Sequence, residues 1–365
     1  MIEKLNTLFL KKDSLPKKNG PFLKHFHYFR GFAIINIVFA HLISYSPAPS
    51  SLIDSSRTEL LNSLREILFH NSTIYFLFVS GFLFYYLSSN FRINAYYKNK
   101  LKNVIVPYIL ISTLLLLIKS FRSFDQFNIN EFSIEWFNNI IYGKSQLQFW
   151  YIPFISIVFL ISPLLLLVPY NIRIKAFPLI LLLPLLGTRT GTNITFYQFL
   201  YFFPIYIIGM HTAMRYEKLV FFIKKYFTLV IIISITSTIM ILLFMIFDWE
   251  SEYGIFSITE GLFYLQKISF TIIILKYLKS LQYKNLTVLN DFATFSFGIY
   301  FTHLILNGVL IKVKLILLEL VANYSEVFLA PLIITYSIIL IFINLEVLKL
   351  IKKIFKKKSR FLVGI

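Results

Sequence analysis

The sequence predicts an all-α polytopic membrane protein with about ten transmembrane helices and both termini in the cytoplasm. Of its 365 residues, 57% are hydrophobic and 15% are charged, and the mean hydropathy is +0.72. These values lie outside the range of soluble globular domains. Apolar runs long enough to cross a bilayer recur along the chain, and basic residues fall mainly on one side of them. Composition, run length and charge placement therefore indicate the same fold class.

Ten apolar runs of roughly 17–25 residues predict the spans. They lie near 28–46, 67–88, 104–120, 149–170, 174–188, 196–212, 226–247, 255–277, 293–311 and 327–348. The fifth run gives the weakest signal, because it is short and contains Pro178 and Pro184.

The distribution of charge sets the predicted orientation. With the N-terminal tail inside, cytoplasmic segments hold 26 of the 36 Lys and Arg residues and outer segments hold 8, while Arg30 and Lys267 lie within spans. The acidic loop 248–252 falls on the outer side. The positive-inside rule therefore places both termini in the cytoplasm and accounts for the net charge of +19 without nucleic acid.

No linker or low-complexity segment divides the chain. We therefore predict a basic cytoplasmic tail over 1–27, a single transmembrane domain over 28–348 and a second basic cytoplasmic tail over 349–365, which would contact anionic membrane lipids. The sequence has no cysteine, which excludes disulfides, thiol nucleophiles and zinc-thiolate sites. We predict no metal site, so the chemistry must use His, Arg, Lys, acids or hydroxyls.

The first span carries an arginine and a histidine on one face. Arg30 and His41 are eleven residues apart, which is about 20° beyond three full helical turns and about 16 Å along the axis. Taken alone, Arg30 could be an arginine that reaches lipid headgroups, and His41 could make an internal hydrogen bond. Their shared face favours a joint role.

The eighth span carries a second charged pair. Glu260 and Lys267 are seven residues apart and so also share a face, with Lys267 near the middle of the bilayer. Two interpretations stay open, a functional cavity and a buried structural ion pair.

Five short motifs resemble those of the integral-membrane acyltransferase-3 family, and they follow the family's order across 30–303. The matching residues are Arg30-Gly31 and His41, then Ser80, Gly81 and Phe82 in IYFLFVSGFLFYY, Lys98, Lys100 and Lys102 in KNKLKNVIVPY, Trp150 and Tyr151 in LQFWYIPF, and Ile299, Tyr300 and His303 in FGIYFTHLIL. The three lysines stand where the family usually has arginines.

The resemblance implies an enzyme of the bacterial plasma membrane. Such an enzyme would move an acyl group, most simply acetyl, from cytosolic acyl-CoA to a hydroxyl of a cell-surface polysaccharide or a lipid-linked glycan, and its donor would be acetyl-CoA. An O-succinyltransferase of an exopolysaccharide is one alternative. A polysaccharide exporter, in which the same polar residues line a translocation path, is another.

The resemblance also implies roles for the first and third motifs. His41 would be the general base for the acceptor hydroxyl, and Arg30 would bind the phosphates of coenzyme A or position the thioester. Lys98, Lys100 and Lys102 would extend the acyl-CoA site, although a cytosolic run of lysines is also an ordinary topology signal.

The other matching residues are candidates for the cavity or the acceptor site: Ser80, Trp150, Tyr151, Tyr300 and His303, together with Glu260 and Lys267. Trp150 and Tyr151 could instead belong to the aromatic belt at the outer interface, and His303 could make a structural hydrogen bond. Some family members add a Ser-Gly-Asn-His domain after the spans. We expect none here, so that this chain would complete the transfer itself or pass the acyl group to a separate periplasmic or extracellular transferase.

Overall fold

A computed structural model of the chain describes residues 22–43, 59–121, 128–189, 194–253, 256–321 and 326–365. The predicted N-terminal tail lies outside the described residues up to position 21, and so does the end of the predicted first span after position 43.

The described residues form sixteen α-helices and one short hairpin. In chain order the helices are α1 (Lys24–Leu42), α2 (Glu59–Phe69), α3 (Thr73–Tyr86), α4 (Ile93–Lys100), α5 (Val106–Phe121), α6 (Ile129–Tyr142), α7 (Tyr151–Leu167), α8 (Tyr170–Leu182), α9 (Phe196–Met214), α10 (Tyr216–Ile246), α11 (Ile258–Ser280), α12 (Thr287–Thr294), α13 (Ser296–Val309), α14 (Ile311–Val321), α15 (Glu326–Phe355) and α16 (Ser359–Val363). A π-helix over Leu101–Ile105 joins α4 to α5. The hairpin pairs β1 (Glu252–Tyr253) with β2 (Phe256–Ser257) in antiparallel register.

The structure confirms an all-α protein with membrane-spanning helices. Each of the ten predicted spans overlaps a helix. Among the described residues, six helical stretches are long and apolar enough to cross a membrane, and a seventh is added if the bent pair α12 and α13 counts as one span. The number of crossings and the side of each terminus remain predictions.

Two predicted spans differ from a simple crossing helix. The fifth becomes α8, which has 13 residues and so is only about 20 Å long, shorter than a bilayer core. The ninth, predicted over 293–311, corresponds to α13 and begins at a bend of 82° where α12 meets α13, and Phe295 at this junction has non-helical angles of φ −98° and ψ 9°. The apolar run begins only at this bend, because α12 contains the polar residues Asn290 and Asp291.

Helices also form where the sequence analysis placed loops. α2 precedes the second predicted span, α6 lies within the loop after α5, and α14 follows the ninth span. A side-chain cap supports α6 at its start, where the Asn128 side chain accepts a hydrogen bond from the Asn130 backbone nitrogen.

The core is built around α1, which packs against α3, α11, α12 and α13. α3 in turn packs closely along α9. Gly81 of α3 lies against the backbone of Tyr206, so a Cβ atom at this position would overlap that backbone. The same holds for Gly209 of α9 against Phe78. Two glycines therefore set the separation of these helices and fix the face that α3 presents to α1.

Candidate active site

Two cavities lie along α1, one towards each end. Arg30 faces the first, which has a volume of about 450 Å³. His41 faces the second, of about 300 Å³. Eleven residues of helix separate the two side chains, a rise of about 16 Å. The predicted shared face of α1 therefore leads to two separate cavities.

We call the first the Arg30 cavity. Its lining residues are Arg30, Phe76, Val79, Ser80, Leu83, Phe84, Leu87, Phe91, Arg92, Ala95, Tyr96, Asn99, Lys100, Phe159 and Phe297. Three cationic side chains thus meet a largely aromatic wall. This combination suits a ligand that carries phosphates together with a flat ring.

Arg30 is held by the end of a neighbouring helix. Its Nε donates to the Ala293 carbonyl oxygen at 2.9 Å, and its Nη2 donates to the same oxygen. Ala293 lies in the last turn of α12, where carbonyl groups lack helical partners and the helix dipole favours a cation. Arg30 therefore faces the interior of the bundle, and the remaining donors of its guanidinium are available to the cavity.

Of the three predicted acyl-CoA lysines, the structure brings only Lys100 to this cavity. Lys98 is exposed, and the Lys102 ammonium lies 4.4 Å from the ring centre of Phe361 in α16. Lys98 and Lys100 are two residues apart in α4, so their side chains lie on different faces of that helix. Arg92, which the sequence analysis did not select, lines the cavity instead.

We call the second the His41 cavity. Its lining residues are Ile37, Ala40, His41, Arg65, Glu66, Phe69, His70, Asn71, Ser72, Thr73, Leu147, Gln148, Trp150, Tyr151, Arg189 and Tyr300. Three predicted residues, Trp150, Tyr151 and Tyr300, thus lie beside the predicted base. Trp150 and Tyr151 are only 3% and 6% exposed, which places them inside the bundle and not in an aromatic belt.

The aromatic side of this cavity is tightly fixed. Tyr300 donates its hydroxyl proton to the Gln148 carbonyl oxygen, and its ring centre lies 5.9 Å from that of Tyr151. The Tyr151 hydroxyl also interacts with the side chain of Ser80. Because Ser80 lines the Arg30 cavity, this pair marks where the two cavities approach each other.

A charged network forms the opposite side. His70 bridges two carboxylates, with Nδ1 2.7 Å from Glu66 Oε2 and Nε2 3.0 Å from Glu260 Oε1. Asn71 donates to Glu260 Oε2 at 2.5 Å and accepts from Arg189 Nη1 at 3.0 Å. Arg65 donates to the other Glu66 oxygen at 2.5 Å. Each carboxylate therefore has several donors, whereas each arginine has donors to spare.

The sequence analysis missed most of this network. Glu66 lies in α2 and His70 directly follows its last residue, and the four-residue spacing places the two side chains side by side. Asn71 has a left-handed φ of 55°. Asparagine tolerates that conformation better than most residues. The stretch His70 to Ser72, read as part of a continuous span, therefore contained a detectable helix break.

Glu260 and Lys267 do not pair with each other in the described structure. Glu260 belongs to the network beside the His41 cavity. Lys267, which is fully buried, donates to the backbone oxygens of Ile67 at 3.3 Å and Leu68 at 2.9 Å. It thus caps the last turn of α2, where carbonyl groups have no helical partner. The ion-pair interpretation is wrong.

His303 lies behind His41 and does not line the cavity. Its ring centre is 5.6 Å from that of His41, and it is fully buried in α13. Its Nδ1 lies 2.9 Å from the Ile299 carbonyl oxygen. No group of three or more His, Cys, Asp or Glu residues that could hold a metal ion occurs among the described residues.

The family comparison covers both cavities. The model of the acyltransferase-3 family, described as an acyltransferase domain, matches residues 24–345, from the start of α1 into α15. No curated protein and no solved structure matches the chain.

Proposed function

The chain belongs to the acyltransferase-3 family, and from this premise we propose that it moves an acyl group, in the first instance acetyl, from cytosolic acyl-CoA to a hydroxyl of a cell-surface polysaccharide or lipid-linked glycan. Its membership and its apolar helices make it a multi-pass membrane acyltransferase. The donor, the acceptor and the bacterial plasma membrane as its location are parts of the proposal.

One observation carries the proposal: Arg30 and His41 face different cavities along a single helix. A transferase of this kind has to bind a charged donor and a hydroxyl acceptor and join them at one atom. Two cavities that approach each other at Ser80 and Tyr151 meet that need.

The Arg30 cavity suits the donor. Arg30 and Arg92 offer planar donors that match phosphate oxygens, and Lys100 adds a positive charge. Its aromatic wall, which includes Tyr96 and Phe159, offers faces for a purine ring. The pantetheine arm would then run along α1 and carry the thioester towards His41.

The His41 cavity suits the chemical step. His41 would take the proton of the acceptor hydroxyl as its oxygen attacks the thioester carbonyl carbon, and would then return that proton to the departing thiolate. The Tyr151 hydroxyl and the Arg189 guanidinium line the same cavity and are candidates to stabilise the developing oxyanion. Bond making and bond breaking balance without a metal or a redox partner.

The decisive experiment incubates the purified chain with acetyl-CoA or succinyl-CoA and envelope oligosaccharides. We expect release of free thiol together with an ester-linked acyl group on the glycan, and the two donors distinguish acetyl from succinyl transfer. His41→Ala should lower transfer about 10²- to 10⁴-fold, as expected for loss of a general base.

Lys98→Ala is the control variant, because Lys98 is exposed and lies outside the cavity lining. Full transfer by the His41→Ala variant would show that His41 is not the general base. Glycan movement across vesicles without donor consumption would replace the transferase by an exporter. If free thiol is released but the glycan is acylated only when a second envelope protein is added, that protein is a separate transferase and a partner of this chain.

A further inference from the structure

His303 has one ring nitrogen whose bonding is settled. Its Nδ1 lies 2.9 Å from the Ile299 carbonyl oxygen, four residues earlier in α13. A carbonyl oxygen can only accept, so Nδ1 must carry the hydrogen. In a neutral imidazole the other nitrogen, Nε2, then has a lone pair and no hydrogen.

That second nitrogen is an unsatisfied acceptor. Nε2 of His303 is buried and has no hydrogen-bond partner in the described part of the chain. A buried polar atom without a partner is costly, commonly by about 1–3 kcal/mol, and such an atom in a native protein often has a functional reason.

His41 is placed to supply the missing donor. Its ring lies beside that of His303, with the planes tilted by 31°. The other polar ring close to His303 is Tyr300, at 6.5 Å, whose hydroxyl proton is already donated to Gln148. His41 lines the cavity and His303 does not, so the order from the cavity inwards is His41, His303, Ile299.

We propose that His303 is a positioning residue for His41: a small rotation of the two adjacent rings, which do not form a hydrogen bond in the structure itself, lets Nε2 of His303 accept the N–H of the His41 ring, so that the other ring nitrogen of His41 faces the cavity without a proton. The inference rests on the proposed function. It gives the base a fixed tautomer and orientation, in the way that a third group orients the base of other catalytic sites.

The proton balance of the step follows. The acceptor O–H bond breaks and its proton moves to the free nitrogen of His41, while the hydroxyl oxygen bonds to the thioester carbon. The C–S bond then breaks, and the same proton passes to the thiolate. Throughout, the N–H of His41 that faces His303 stays bonded to it, so His41 returns to its original tautomer after each turnover.

Two substitutions separate this role from a structural one. His303→Gln keeps an acceptor near the position of Nε2, whereas His303→Asn keeps a donor near the position of Nδ1 and has nothing at Nε2. We expect the Gln variant to stay near the wild-type kcat. The Asn variant should lose about 10- to 100-fold in kcat, by analogy with the loss of a group that orients a metal-bound histidine, with an unchanged KM for acetyl-CoA.

His25→Asn is the matched control. His25 is equally buried, with Nε2 2.8 Å from the Tyr216 hydroxyl and Nδ1 without a partner in the described structure. It lines neither the Arg30 cavity nor the His41 cavity. Its loss should lower thermal stability and leave kcat unchanged.

The experiment measures kcat, KM and thermal unfolding of wild type and the three variants with acetyl-CoA and envelope oligosaccharides. The positioning role is overturned if the folded Asn variant keeps the wild-type kcat. It is also overturned if the folded Gln variant loses tenfold or more in kcat. If the Asn variant does not accumulate, the Gln variant alone decides by the same criterion. A wild-type chain that consumes no acyl-CoA overturns the proposed function itself, which is a different result.

Discussion

At the scale of single residues, the same side chain fits opposite interpretations until its surroundings are known. From the sequence alone, Arg30 could be an arginine that reaches lipid headgroups or one that binds acyl-CoA. In the structure it donates twice to Ala293 at the end of α12 and faces a cavity shared with Arg92 and Lys100. These contacts hold the guanidinium in the bundle and orient it, which an exposed anchor would not require.

Arg30→Lys should raise the KM for acyl-CoA by about tenfold or more. Lysine keeps the charge but has no planar fork, so it cannot both bond to Ala293 and present the remaining donors to phosphate. Loss of a hydrogen bond to a charged group costs about 1.5–3 kcal/mol, and about 1.4 kcal/mol corresponds to a factor of ten. Steady-state kinetics with varied acetyl-CoA test this.

Lys98→Met serves as the control for Arg30→Lys, because Lys98 is exposed and lies outside the Arg30 cavity. Its KM should stay at the wild-type value although it loses a charge. An Arg30→Lys variant with an unchanged KM would remove Arg30 from the donor site.

At the scale of helices, the ends and contacts of elements decide the geometry of the site. α2 ends next to His70 and Asn71, and Lys267 of α11 donates to its terminal carbonyl groups. The network beside His41 therefore depends on a cap provided from a distant helix. α3 in turn is held against α9 by glycines at their crossing.

Lys267→Met should lower the free energy of unfolding by about 1–3 kcal/mol, because two buried carbonyl groups lose their donor. The expected signs are a lower unfolding temperature of the purified protein and weaker acyl transfer as α2 shifts. Adding Glu260→Gln should not restore stability, since the two charges do not pair. Lys218→Met, at an exposed position, is the control.

A rescue of stability in the Lys267→Met and Glu260→Gln double variant would instead show that the two charges are coupled. Wild-type stability of Lys267→Met alone would show that the cap of α2 contributes nothing.

Gly81→Ala should destabilise the bundle by about 1–3 kcal/mol, the usual cost of overpacking. Its new methyl group would overlap the Tyr206 backbone, which cannot rotate away as a side chain would. Gly308→Ala is the matched control, because no atom lies within 4 Å of a Cβ built there. The measurement is the unfolding temperature of each variant, and equal values for the two would contradict the proposed α3–α9 contact.

At the scale of the whole molecule, the predicted orientation and the two cavities together predict from which side of the membrane each substrate enters. The charge distribution of the sequence places the Arg30 end of α1 towards the cytosol and the His41 end towards the outside. Donor and acceptor would then enter from opposite sides of the membrane and meet within the bundle, near Ser80 and Tyr151.

Sealed vesicles test this sidedness. Inside-out vesicles should consume added acetyl-CoA and accumulate acetyl groups on glycan in the lumen. Right-side-out vesicles should leave added acetyl-CoA unused until they are permeabilised, because the donor is too polar to cross the bilayer. Equal use of the donor in both orientations would overturn the assigned orientation while leaving the transferase itself intact.

The sequence by itself determined the membrane class, the approximate position of ten apolar helices and the family. These features depend on local composition, on the length of apolar runs and on short motifs, all of which can be read along one chain. It also selected several of the residues that line the two cavities in the structure, including Arg30, His41, Ser80, Tyr151 and Tyr300.

Only the tertiary structure decided which of these residues lie together. It separated Arg30 and His41 into two cavities, replaced Lys98 and Lys102 by Arg92, and assigned Glu260 and Lys267 to different partners. Contacts such as His41 with His303 join residues 262 positions apart. The physical reason is that helix bends, helix ends and glycine crossings set which faces meet, and none of these leaves a periodic signal in the hydropathy of the chain.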